Sequence, residues 1–172
     1  MTWVAEGEIL HKDSLGSEQI IRPGQLNWMT AGHGISHSEE TPPGVSGRLH
    51  GVQLWLALPE SHRNSEPTFE HFPELPQWEH GGSVATVLAG TSNGLTSPAR
   101  QHSPFVGLDV ERMEKGTSTV ALDASFEHAV MVIEGTVRVD GQPLVVGDRQ
   151  SQPSFAFFDD HAAIEPGRRA AV

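Results

Sequence analysis

An imidazole and a carboxylate stand two positions apart at His37 and Glu39. In an extended segment, side chains at i and i+2 project to the same side, so these two converge on one point. A neutral imidazole nitrogen paired with a carboxylate oxygen suits iron, manganese and similar borderline cations. Glu40 faces the other way by the same alternation, which separates it from acid–base work beside such a cation. Two donors do not complete a site, and other histidines are at hand. His33, in the bend just before His37, is the nearer substitute, as a ligand or as a polar neighbour of the donors. His11 follows the Gly7 turn in a loop-like Lys-Asp-Ser-Leu-Gly setting. His50 ends a strand, while His102 and His128 have no partner at metal-motif spacing and read as structural. Trp28 and Met29 are candidate walls of a cavity around the donors. Trp28, Trp55 and Phe69 read either as the lining of a cavity for a flat aromatic molecule or as core aromatics, the commoner use of large rings in a small β-protein.

The elements that must position these residues are short. The 18 glycines and 12 prolines are spread along the chain rather than gathered in one linker, which leaves little room for long helices. Between them lie runs of apolar and β-branched residues that read as strands: Trp3 to Leu10, Glu18 to Arg22, Leu26 to Met29, Gly51 to Leu58, Ser83 to Ala89, Ser118 to Leu122, Ala129 to Ile133 and Thr136 to Val139. Pro23-Gly24 makes a tight turn before the third run, and Gly32 and Gly34 permit a second bend that leads into His37. Asp140-Gly141 has the chemistry of a two-residue hairpin turn joining Thr136–Val139 to Pro143–Val146. Such a pattern predicts an all-β sandwich or barrel. Glu6-Gly7-Glu8-Ile9 and Glu134-Gly135-Thr136-Val137 echo one another, as two related barrels would, although Glu-Gly after a strand is also a common turn. Pro59 to Gln77 reads as an irregular connection, and Thr91 to Ser103 opens the second half. The expected division is residues 1–90 and 91–172.

Composition narrows the classes of function. Eleven Lys and Arg against 22 Asp and Glu give a net charge of −11, so direct binding to nucleic acid is not expected. With no cysteine, disulfides and thiolate metal sites are excluded, and any metal must be held by His, carboxylate or water. No basic-then-apolar leader and no long apolar run is present, so the expectation is a cytoplasmic protein with no membrane span. Phosphate-binding loops ending in Lys-Ser/Thr and Gly-x-Ser-x-Gly elbows are also missing.

The block Trp28-Met-Thr-Ala-Gly-His-Gly-Ile-Ser-His-Ser-Glu39 resembles the signature of the pirin family, within the cupin superfamily. Glu6-Gly7-Glu8, His11-Lys-Asp-Ser-Leu-Gly16 and His50-Gly-Val-Gln-Leu-Trp-Leu56 are similar to its flanking blocks, in the same order. The likeness runs over roughly residues 2 to 147. It implies tandem double-cupin barrels with one divalent metal, usually iron with manganese or another cation as alternatives, in the first barrel. It implies a His-x-His pair from an early strand, followed by a His and a Glu that match His37 and Glu39. The pair belongs before Glu6-Gly7, upstream of Met1, so the first barrel is expected to lack its first strands. His33 stands where the family often carries arginine, which alters the polarity beside the metal. After Gly147-Asp148 the likeness fades, and closing the second barrel falls to Ser154 to Phe158 and Ala162 to Glu165. The implied activity is a metal-dependent dioxygenase of the quercetin 2,3-dioxygenase type acting on a small aromatic substrate. The alternatives are a non-enzymatic, metal-containing regulator that works through a protein partner, and an inactive fragment without metal.

Overall fold

The computed structural model describes residues 1–113, 118–123, 125–139, 142–145, 155–158, 162–165 and 169–171. Among the described residues every regular element is a strand, and the chain separates into two units. Met1–Leu75 with Pro98–Pro104 forms the first, and Pro76–Ser97 with Phe105–Val172 the second.

The first unit holds β1 (Thr2–Glu6), β2 (Ile9–Asp13), β3 (Glu18–Ile21), β4 (Leu26–Thr30), β5 (His37–Glu40), β6 (His50–Gln53) and β7 (Thr68–Phe72). They make two antiparallel sheets, one in the order β6-β1-β4-β7 and the other β3-β2-β5. The run from Trp3 to Leu10 is thus two strands in two sheets. Gly7 makes the break, with φ +85 and the Arg48 carbonyl oxygen 2.6 Å from where a Cβ would stand. Only glycine fits that backbone at low cost. Val4 of the larger sheet meets Ile9 and Ile21 of the smaller in an apolar cluster, all three buried. β7 runs through the segment expected to be irregular. Its flanking Pro67 and Pro73 mark its ends rather than the lack of a strand, as suits an edge position.

The run expected from Gly51 to Leu58 pairs over a shorter stretch. β6 lies at the sheet edge, and its ladder with β1 ends where Met1 and Leu54 exchange backbone hydrogen bonds of 2.7 and 2.9 Å. Trp55 falls just beyond and is 96% exposed, so it is neither a core residue nor a cavity wall.

The second unit contains β8 (Gln77–His80), β9 (Ser83–Ala89), β10 (Thr91–Ser92), β11 (Leu95–Thr96), β12 (Gly107–Arg112), β13 (Ser118–Val120), β14 (His128–Glu134), β15 (Thr136–Val139), β16 (Gln142–Val145), β17 (Phe155–Phe158), β18 (Ala162–Glu165) and β19 (Arg169–Ala171). Its larger sheet runs β17-β14-β19-β12-β9-β8 and its smaller one β13-β18-β15-β16. Ala85, Val87, Leu108, Val110, Val120, Val130, Val132 and Val137, drawn from both sheets, form one buried cluster. The expected boundary at 90/91 falls too late, because β8 and β9 pair with each other and β9 pairs with β12. Asp140-Gly141 lies outside the described residues, although β15 and β16, the strands it was expected to join, do pair. The echo between the two halves has a structural counterpart. Gly135, with φ +81, passes the chain from the larger sheet to the smaller, as Gly7 does in the first unit.

Candidate metal centre

β5 carries the two candidate donors, His37 and Glu39, and β2 decides what surrounds them. In the antiparallel register, Asp13 lies opposite His37 and His11 opposite Glu39. Residues directly opposite share a side, and alternation then places His11, Asp13, His37 and Glu39 on one face of the smaller sheet. Lys12, Ser38 and Glu40 take the other face. There Glu40 accepts from Ser38 Oγ at 2.8 Å and Lys12 Nζ at 3.2 Å, and these bonds hold its carboxyl below the usual range.

Glu39 is engaged from the larger sheet as well. The Thr2 hydroxyl donates to one carboxylate oxygen at 3.3 Å and Gln53 Nε2 to the other at 3.1 Å, while Gln53 Nε2 also lies 3.2 Å from the Thr2 hydroxyl. Behind this carboxylate sits His11, only 2% exposed, with Nδ1 3.9 Å from Glu39 Oε1 and Nε2 3.2 Å from Asp13 Oδ2. The His11 ring lies parallel to Phe69, at 4.1 Å between centroids and 6° between planes, and 5.6 Å from the ring of His37. Asp13 accepts from the backbone N–H groups of Leu15 at 2.9 Å and Ser17 at 3.0 Å. Burial pushes its pKa up, but these hydrogen bonds and the one to His11 outweigh that and leave it below the ordinary value.

The neighbours expected from the sequence divide. Met29 pairs with Phe69 across β4 and β7 and so shares the face that meets His11. Trp28, the next residue, points to the opposite face and does not line the donors; it is buried there. His33 is also turned away from a role beside the donors. It sits half-exposed in the bend, its Nε2 3.1 Å from Glu66 Oε2 and its backbone N–H bonded to the Ser65 carbonyl at 3.0 Å. Gly32 makes that bend possible, since its φ is +53 and the Ser65 carbonyl oxygen occupies the place of a Cβ.

On the larger sheet, His71 Nδ1 donates to Asn27 Oδ1 at 2.7 Å. Burial, assisted by the charge of Arg22, lowers the pKa of His71. The unfolded chain therefore takes up the proton first as pH falls. The expected result is a denaturant midpoint that declines from about pH 6.5 downward, until the lowered folded value is reached. His71→Gln should flatten that decline. An identical pH profile in the variant would show that the stability change has another source.

A family model described as Pirin matches residues 1–56. A pirin-like protein of Caulobacter vibrioides is 42% identical over 151 residues, covering 84% of this chain and 52% of that one. A quercetin 2,3-dioxygenase from Acinetobacter baumannii has the same fold at TM-score 0.91 and 39% identity, covering 99% of this chain and 56% of that one. A bacterial pirin of Escherichia coli in complex with nickel(II) is 22% identical with TM-score 0.70, over 99% of this chain and 69% of that one, a likeness of fold alone. The chain spans about half the length of the curated relatives it matches. The all-strand architecture in two units, each of paired antiparallel sheets, is that of the tandem cupins. Within that class, the chain belongs to the pirin family.

The residues present fit a divalent cation as part of a donor set. His37 and Glu39 are of the right chemistry and on one face, with a second imidazole beside them. Among the described residues, no three His, Asp or Glu side chains converge to enclose an ion. Spacing in the sequence singled out His37 and Glu39, which do share one face of β5. It placed His33 ahead of His11 and missed Asp13, Thr2 and Gln53, which pairing between distant strands brings beside His37 and Glu39. For His11 a signal was present: it stands two residues after Ile9 in a run that continues as a strand, and so keeps the inward phase.

Proposed function

We propose that this chain carries the His37–Glu39 part of a pirin-type metal centre and serves a dioxygenase of the quercetin 2,3-dioxygenase type. The observation that carries the reading is the shared face of β5. It sets an imidazole and a carboxylate side by side, against a buried histidine, in a chain 39% identical to a solved enzyme of that name. Iron, or another borderline cation, would be held by His37 and Glu39 and would supply the Lewis-acid and oxygen chemistry that no side chain of this protein provides. The protein's own part is positioning. Thr2 and Gln53 direct one carboxylate oxygen each, and Met29 and Phe69 give the donor face an apolar flank suited to a small aromatic substrate. The reading includes a cytoplasmic location, where a chain without cysteine has no need of an oxidising compartment.

The test is metal analysis of the purified chain, followed by oxygen uptake with quercetin after loading with Fe(II). One metal per chain with quercetin-dependent uptake is the expected outcome. A loaded protein with no uptake would overturn the dioxygenase reading in favour of a second one, a metal-containing module that binds a protein partner. That alternative draws support from the exposed Leu49, Leu54 and Trp55 beside the edge strand β6.

A further inference from the structure

We propose that His11 is a positioning residue, the buttress that sets the orientation of Glu39 and His37. The role builds on the reading of those two as metal donors.

The need for such a buttress follows from topology. Among the described residues, β5 is an edge strand, bonded through its backbone ladder to β2 alone. A strand of four residues paired on one side holds its side chains loosely unless something packs against them. All four residues of β5 are exposed. His11 supplies the missing support. It is the cross-strand partner of Glu39, its Nδ1 is 3.9 Å from that carboxylate, and its ring stacks on Phe69 and stands 5.6 Å from the ring of His37.

His11 is itself fixed. Asp13, held ionised by the amides of Leu15 and Ser17, accepts from Nε2–H. Orientation of the ring about its plane is thereby set, while stacking on Phe69 sets its tilt. An imidazole buried to this degree costs free energy unless it is hydrogen-bonded, and a leucine or isoleucine would fill the space without that cost. The Asp13–His11 pair gives the position a geometric task that an apolar residue could not perform: it presents a fixed polar edge to Glu39.

The test compares the wild-type chain with His11→Phe, His11→Gln and the control Leu26→Ala. His11→Phe keeps a ring for stacking and loses both nitrogens. His11→Gln restores a donor to Asp13. Leu26 is fully buried and faces away from the donors, so its truncation lowers stability without touching them. The first readout is metal-free: NMR of the Gln53 side-chain amide, which is bonded to Glu39, and of the His37 ring. His11→Phe should move both sets of resonances, His11→Gln should return the Gln53 amide toward its wild-type position, and Leu26→Ala should leave both in place. The second readout is Co(II), titrated by calorimetry and by its visible absorption. His11→Phe should weaken Co(II) binding by about 10–100-fold, the usual cost of losing an outer support of a metal ligand, and alter the absorption band. His11→Gln should recover part of the affinity.

Unchanged Gln53 and His37 resonances in His11→Phe would overturn the positioning role, whatever the metal does. Equal effects from Leu26→Ala would overturn it as well, by reducing it to general stability. A wild-type chain that takes up no Co(II) would instead sink the metal-centre reading, while the NMR comparison would still decide the role of His11.

Discussion

Glu39→Gln is expected to lower the affinity of the chain for Co(II) or Fe(II) by about 100-fold or more, since losing even an outer support of a ligand costs 10–100-fold. The substitution keeps size and shape but removes the charge and one of the two oxygens. The amide can keep its oxygen toward Gln53 Nε2 and donate its N–H₂ to the Thr2 hydroxyl, which then accepts, so the hydrogen bonds from the larger sheet are preserved and the loss falls on the metal. His37→Ala should match it in size, by deleting the imidazole outright. Calorimetric titration measures both, with circular dichroism as the check that β5 still pairs. Affinity within a factor of about three of wild type, well inside the cost of a lost outer support, would show that Glu39 is not a donor.

Trp3→Ala is expected to destabilise the first unit by about 3–5 kcal/mol, the usual cost of truncating a large buried aromatic. Trp3 is 1% exposed, lies opposite Leu26 on β4 and Val52 on β6, and so packs at the middle of its sheet. Truncation removes apolar contact and leaves a cavity that the short strands on either side cannot close. Since whole domains are stable by only about 5–15 kcal/mol, the loss is a large share. Urea unfolding followed by near-ultraviolet circular dichroism would measure it. A change under about 1 kcal/mol would mean that the site collapses without penalty, contrary to the packing described.

The strands were legible where alternation and glycine punctuation agreed. Ser83 to Ala89 is the clearest case, a β-branched run that appears unchanged as β9. His37 and Glu39 were legible for the same reason, because two-residue spacing has a direct meaning in extended chain. Residues that depend on pairing between distant segments were not. Whether His11 belongs beside Glu39 is a matter of register between β2 and β5, which no local pattern records. Lys12, Asp13 and Ser14 disguised the strand as a loop. Yet Asp13 is polar because it binds the amides of the turn that follows, and at the same time it accepts from His11. β7 was hidden by its flanking prolines, and Trp55 was misassigned because an apolar run does not reveal where its ladder ends.

The full exposure of Trp55 has an optical consequence. The chain has four tryptophans, and Trp3 and Trp28 are buried while Trp55 stands in water. A buried indole emits to the blue and is shielded from collisional quenchers; a hydrated one emits to the red and is quenched freely. Iodide should therefore remove the red edge of the emission and spare the rest. Anything that settles on the strand edge at Leu54 and Trp55 would announce itself as protection from iodide, with no label added to the protein.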